Sequence, residues 1–339
     1  MEFTVDNLSN NIDNRKVARE MKLVIIALLP GIAAMFWFFG WGVVSNIVLA
    51  SIFGLGFEAI LLKWRGRPVK VFLGDYSALL TSLLLAISLP AFAPWWMLAV
   101  ALFFAIVIAK HLYGGLGYNP FNPAMIGFAV VMVSFPAEMG EWLSPAISHL
   151  SWGDFVTGMQ HVFGVTSQWD SMTMATPLNT IQTGLSMDKT MTEMVQQPSF
   201  GMIAGEGWEW VSLGFLVGGI WLMIKKSITW HIPVSLLVVL ASLASLFWII
   251  DPQQYANPIF HLFAGGTLLG AFFIATDPVT ASTTPLGKII YGASIAFFIY
   301  TIRVWGSGYP DGVAFSVLIM NMAVPLIDYY TQPKVFGES

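Results

Sequence analysis

Residues Asp170-Ser171-Met172-Thr173-Met174-Ala175-Thr176 set a carboxylate, several hydroxyls and one small alanine within seven positions. Two chemistries suit that spacing. Threonine followed by proline is a good helix start, because the hydroxyl caps free amides and Pro177 fits the first helical position. A threonine hydroxyl on an exposed loop is also an alcohol nucleophile. It can therefore serve as a covalent attachment point for a group the chain needs. The second chemistry requires the loop to be accessible, so the elements around it decide between the two.

The chain has 339 residues, 56% of them hydrophobic and only 10% charged. Soluble domains carry about 25% charged residues. Uninterrupted apolar blocks approach the ~20 residues of a membrane-spanning helix, without the alternation of a β-barrel strand. The expected class is an all-α, polytopic helical membrane protein. There are no cysteines, so this chain supplies no disulfide and no thiolate for an Fe–S cluster or zinc. His111, His149, His161, His231 and His261 are scattered, with no metal-binding spacing, and no metal is expected. The charged first 21 residues do not read as a signal peptide.

Ten candidate spans cover approximately 23–40, 42–62, 74–92, 95–109, 123–137, 208–224, 232–250, 258–276, 288–304 and 312–329. Several are short, and the Gly- and Pro-rich 114–124 between the fourth and fifth predicts irregular backbone at membrane depth, where protein or a cavity must cover it. Lysine and arginine placement sets the orientation. With both termini cytoplasmic, thirteen of the fifteen fall inside: Arg15, Lys16, Arg19, Lys22, Lys63, Arg65, Arg67, Lys70, Lys110, Lys225, Lys226, Lys288 and Lys334. Only Lys189 and Arg303 fall outside. The layout is a cytoplasmic segment 1–22, a five-span bundle 23–137, an outer loop 138–207, a second five-span bundle 208–329 and a cytoplasmic tail 330–339. In a bacterial inner membrane the outer side is the periplasm.

The outer loop carries Glu138, Glu141, Asp154, Asp170, Asp188, Glu193 and Glu206 against one lysine, with enough aromatic residues and methionine to argue against plain disorder. A loop of this length is commonly functional. A short echo, HLYGG at 111–115 and HLFAGG at 261–266 followed by NPA (122–124) and DPV (277–279), fits an inverted repeat of the transporter kind.

The motif D-x-x-[ST]-x-A-[ST], together with GGLGYNPFNPAMIGFA (114–129), FIATDPVTASTTPLGK (273–288) and GYPDGVAFSVLIMNM (308–322), resembles the NqrB and RnfD membrane subunits of the Nqr and Rnf respiratory complexes. The resemblance covers nearly the whole chain. It implies FMN joined by a phosphoester to Thr176, with Asp170, Thr173 and Ala175 as the flavinylation motif read by a periplasmic flavin transferase. The threonine-methionine-alanine-threonine wording and the absence of a long N-terminal extension look more like the RnfD type than the NqrB type. The resemblance further implies a noncovalent riboflavin near Asn119 and Asn122, with Gly115 allowing close approach to its ring. Asparagine offers both donors and acceptors to such a ring edge, although Asn-Pro pairs also simply start turns.

Ionisable residues inside spans are costly and tend to mark ion paths. Glu58, Asp75, Asp277 and Asp328 are the candidates, against plain capping for Asp75 and Asp277 and a helix end for Asp328. The tryptophans near span ends read as an interfacial belt. The expected function is a flavin-carrying membrane subunit of a ferredoxin:NAD⁺ oxidoreductase of the Rnf type, coupled to Na⁺ or H⁺ transport. Its partners would be other membrane subunits, Fe–S subunits and lipid, with no nucleic acid. The chain lacks a dinucleotide-binding fingerprint, so NAD⁺ would bind elsewhere in the complex. The rivals are the NqrB component of the Na⁺-translocating NADH:quinone reductase and a urea-channel-like transporter, whose architecture the family resembles.

Overall fold

A computed structural model describes residues 4–145, 150–165, 173–306, 308 and 311–333. The first half contains α1 (Thr4–Phe39), α2 (Trp41–Trp64), the short α3 (Val69–Leu73), α4 (Ser77–Ser88), α5 (Trp95–Leu102) running into a π-helical segment Phe103–His111, and α6 (Pro123–Ser134). The loop then carries α7 (Pro136–Gly140), α8 (Trp152–Val162), α9 (Pro177–Ser186) and α10 (Met191–Met194). The second half contains α11 (Trp208–Ile224), α12 (His231–Ile250), α13 (Pro258–Phe263) and α14 (Thr267–Leu269), which runs into the π-helical Gly270–Ile274. It ends with α15 (Pro285–Trp305) and α16 (Val313–Thr331).

Among the described residues, five helices are long and apolar enough to cross a membrane: the Arg15–Phe39 part of α1, α2, α12, α15 and α16. Helices α4, α5 with its π extension, α6 and α11 are apolar but shorter. All ten predicted spans therefore fall on helical segments. The differences lie at their ends and breaks. The 74–92 span shortens to α4, because Gly74 and the left-handed Tyr76 precede it and Leu89-Pro90 ends it. The 258–276 span breaks at Ala264–Gly266, where Gly265 takes φ +61°.

The halves repeat one packing order. In the first, α2 packs on α4 and on α5 with its π extension, which packs on α6. In the second, α12 packs on α13 and α15, and α15 packs on α16. Equivalent fourth spans end at opposite ends of the bundle, Lys110 beside a cavity reaching Glu20 and Lys226, and Arg303 beside Asp311 and the loop. That arrangement fits an inverted repeat. The HLYGG and HLFAGG stretches are not its equivalent positions, since one follows the fourth span and the other lies inside the broken third span of the second half.

The repeats meet along α1 and α11. Lipid offers no hydrophobic drive between helices, so small residues that let backbones touch are what hold such a crossing. Ala27 and Gly31 on α1 face Gly214 and Gly218 on α11. A Cβ at Gly214 would lie 2.7 Å from the Gly31 Cα, and one at Gly218 would fall on the Ala27 carbonyl oxygen. Gly218→Leu is expected to separate the two helices and lower the detergent-solubilised melting temperature by several degrees. Gly56→Ala, at a site with nothing within 4 Å, should leave it unchanged in the same scanning-fluorimetry run.

Candidate functional site: two cavities on either side of α6

Thr176 is the N-cap of α9. Its backbone is extended (φ −65°, ψ 156°), its hydroxyl accepts from the Asn179 amide at 3.3 Å, and Pro177 takes the first helical position. Such a cap is worth about 1 kcal/mol. Thr180 is not a cap: its hydroxyl donates to the Thr176 carbonyl at 3.1 Å and lies 3.3 Å from the Ser199 hydroxyl. Upstream, Thr173 pairs with Leu143 in an isolated antiparallel bridge and the Met174 amide donates to the Trp142 carbonyl at 2.8 Å. Downstream, the Gln182 side chain donates to the Gly306 carbonyl at 2.7 Å, fastening α9 to the second half. Ala175 is exposed, and Asp170 lies outside the described residues.

The half-buried Thr176 stands at the rim of a cavity of about 180 Å³ at the loop end of the bundle. The walls are largely apolar and drawn from both halves: Met35, Met125, Phe128, Met132, Met139 and Phe215, with Trp142 and Trp208 packed edge to face at 4.9 Å. The polar side chains besides Thr176 are Ser88, Asn179, Ser212 and Asp311. Gly265 and Gly266 complete one wall, and a Cβ on Gly265 would fall on the Asp311 carboxylate.

A second cavity, of about 240 Å³, opens at the lysine-rich end. Asn119, Asn122 and Asp277 line it, together with Ser77, Thr81, Lys110 and Thr276. The two asparagines differ. Asn122 is engaged in structure: it caps α6 through the Met125 amide (3.3 Å), its own amide donates to Asn321 Oδ1 (3.1 Å) and its Nδ2 donates to the Ile274 carbonyl (3.4 Å). Asn119 donates to the Phe121 carbonyl at 3.1 Å, but its buried Oδ1 has no partner among the described residues. Gly115 is not in the lining. It takes φ +109° and its amide donates to the Lys110 carbonyl, so it closes the end of the π-helical segment.

Helix α6 separates the cavities. Asn122, Pro123 and Ala124 face the lysine-rich end, while Met125, Phe128 and Met132 face the loop end.

The four acidic candidates sit differently. Glu58 is buried against Lys110 Nζ (2.9 Å) and His111 Nε2 (2.9 Å). Asp75 accepts from the Ser77 amide (2.7 Å) and hydroxyl (2.6 Å), and the Ser77 hydroxyl accepts from Lys110 at 2.9 Å. Glu58 and Asp75 are therefore joined through Lys110 and Ser77. Asp277 faces the same cavity and accepts from the Val279 amide (3.4 Å) and Thr280 hydroxyl (2.9 Å). Asp328 takes the hydroxyls of Ser282 and Thr283 and the Thr283 amide, bracing the turn before α15, and lines neither cavity.

Sequence reasoning missed Lys110 and Arg303 as buried cations, having used both only to set the orientation. Arg303 donates to the carbonyls of His261 (2.7 Å), Ala264 (3.1 Å) and Asp311 (3.0 Å), to the Thr267 hydroxyl (2.8 Å) and to Asp311 Oδ1 (3.2 Å). Lys110 and Arg303 are equivalent in the repeat, each bonded to the hydroxyl at which a third span begins (Ser77) or resumes after its break (Thr267). Both follow an apolar run and precede a Gly-x-Gly-Tyr stretch (115–118 and 306–309), and that shared context was the available signal. Asn321, which also donates to the Tyr291 hydroxyl (2.8 Å) and the Thr280 carbonyl (3.1 Å), had no such signal.

Residues 7–337 match the model of the NQR2, RnfD, RnfE family. The chain is 48% identical over 349 residues to the D subunit of the ion-translocating oxidoreductase complex of Escherichia fergusonii, and 50% identical to that of Salmonella newport, with 99% of each chain covered. With the match spanning both halves, both cavities and the loop between them, the chain belongs to the NQR2, RnfD, RnfE family.

Proposed function

We propose that this membrane protein is the flavin-carrying subunit of an Rnf-type ion-translocating oxidoreductase in the bacterial inner membrane. Thr176 would hold FMN as a phosphoester, and the lysine-rich-end cavity would hold riboflavin. Electron flow between them would be coupled to Na⁺ or H⁺ movement. A bound flavin supplies one- and two-electron transfer, and the protein supplies place and potential.

The observation that carries the reading is the position of Thr176, which is at once a helix N-terminus and the rim of a cavity. A phosphoester there meets the free amides and positive end of α9, an arrangement that suits an anion. The methionine and tryptophan walls below suit an apolar ring, and Met side chains pack well on aromatic faces. A periplasmic flavin transferase would reach the Thr176 segment from outside, as the exposure of Ala175 allows. At the other cavity the unpartnered Asn119 Oδ1 is an acceptor suited to the ring N–H of riboflavin. The fold resembles what a channel would need, but a channel would need neither a cap residue in a flavinylation motif nor an orphan acceptor beside a buried lysine.

Fe–S partners would bring electrons, since this chain has no cysteine to hold a cluster. Of the four carboxylates, Asp277 is the one that directly faces a cavity, and the ion path is proposed to pass it.

Co-expression with the transferase should give a chain that fluoresces in a denaturing gel, and Thr176→Ala should abolish that signal while leaving membrane insertion intact. Fluorescence surviving the change would sink the assignment. Asn119→Leu is expected to weaken binding of noncovalent flavin by about 5- to 100-fold, the cost of one unmade buried hydrogen bond. Flavin released on denaturing the purified complex should fall accordingly, with the covalent gel signal unchanged.

A further inference from the structure

The lysine-rich-end cavity contains a cation that the proposed flavin chemistry leaves unused. Lys110 is 2% exposed, in a part of the chain where a buried charge is costly and tends to be functional. Its ammonium has three donors. Two are engaged, by Glu58 Oε1 and the Ser77 hydroxyl, each at 2.9 Å. The side chain also lines the cavity, as does Asn119 with its unpartnered Oδ1. One free donor and one free acceptor therefore open on the same space.

The repeat supplies a contrast. Arg303, the equivalent of Lys110, directs its donors to four oxygens of its surroundings besides the Thr267 hydroxyl, and it does not line the loop-end cavity. A brace needs only what Arg303 does. Lys110 braces Ser77 in the same way and keeps a donor in reserve. The carboxylates nearby are already engaged: Glu58 also faces His111, Asp75 takes Ser77, Asp277 takes Thr280 and Glu20 takes the Ser227 hydroxyl, while the cavity's other cation, Lys226, is exposed.

We infer that Lys110 holds its positive charge against the carbonyl-bearing edge of a flavin ring whose N–H meets Asn119, and so favours the reduced ring over the oxidised one. This rests on the proposed riboflavin site. Reduction by one electron, drawn from a flavin or Fe–S carrier of the surrounding complex that is itself oxidised by one electron, adds one negative charge. Lys110 keeps its proton and meets that charge with its own. At the low effective dielectric of a buried site, a unit charge a few ångströms away outweighs the loss of one neutral hydrogen bond.

The experiment is a redox titration of the purified complex in the Thr176→Ala background, following the visible absorbance of the noncovalent flavin. Flavin released on denaturation is measured first. A wild-type complex that releases none from this subunit overturns the riboflavin site and the inference with it. With flavin bound, Lys110→Gln is expected to disfavour reduction about tenfold, lowering the one-electron midpoint by ~59 mV. Glu58→Gln should raise it, because the ammonium loses its counter-ion, and Lys110→Arg should restore the wild-type value. A purely structural role would not move the two midpoints in opposite directions. An unchanged midpoint in Lys110→Gln with flavin retained overturns the inference and leaves the riboflavin site standing. If Lys110→Gln fails to assemble, because Glu58 is left unpaired, Glu58→Gln decides alone: a midpoint at or below wild type overturns the inference.

Discussion

A span that begins or breaks inside the bundle leaves backbone and hydroxyl groups where no water can satisfy them, each at a cost of several kcal/mol. Both third spans here do so, α4 at Ser77 and the α13–α14 segment at Ala264–Gly266. The fold answers each with one buried cation from the end of the fourth span. Arg303 takes the carbonyls of His261 and Ala264, and Lys110 takes the Ser77 hydroxyl that in turn bonds Asp75. Those cations then need counter-charges, which Asp311 and Glu58 supply. Removing one member of such a pair costs about 3–5 kcal/mol. The broken spans are what leave room for the cavities, so the cavities depend on these two ion pairs.

The same economy explains Thr176. Capping α9 fixes the hydroxyl at a helix start, and the helix start sits on a cavity rim because Gln182 ties α9 to Gly306. The sequence offered capping and attachment as competing readings. The geometry makes them compatible, since esterified phosphate oxygens in the proposed function would take over the amides that the hydroxyl now satisfies. Asn122 shows the opposite outcome: its capping and bridging bonds occupy it, and Asn119 keeps the free acceptor.

Much of the fold was legible because hydropathy reports spans directly. What it could not report was where a span breaks. The apolar run 258–276 gives little sign that Gly265 adopts a left-handed turn, because glycine in a membrane helix as often serves packing. The α1–α11 crossing was legible in principle, in Ala27-x-x-x-Gly31 and Gly214-x-x-x-Gly218, yet spacing alone does not say which two small-residue faces meet. Buried charges were least legible. Lys110 sits where a loop lysine would, and its pairing with Glu58, 52 residues earlier, exists only once α2 packs on the π-helical segment. Asp328 carried a span-embedded acid's signature and turned out to brace the turn at Ser282 and Thr283.

The two cavities face different chemistry. The lysine-rich-end cavity meets an ammonium with a donor in reserve, while the loop-end cavity meets the Asp311 carboxylate, its cation turned away into the broken span. Positive charge favours an added electron and negative charge disfavours it. Under the proposed function the two flavins would therefore meet differently placed charges on either side of α6, with Lys110 and Asp277 both facing the ring at the lysine-rich end. Lys110 lines its cavity and Arg303 does not, so divergence at this one pair of equivalent positions is enough to give a repeated scaffold two cavities of different charge.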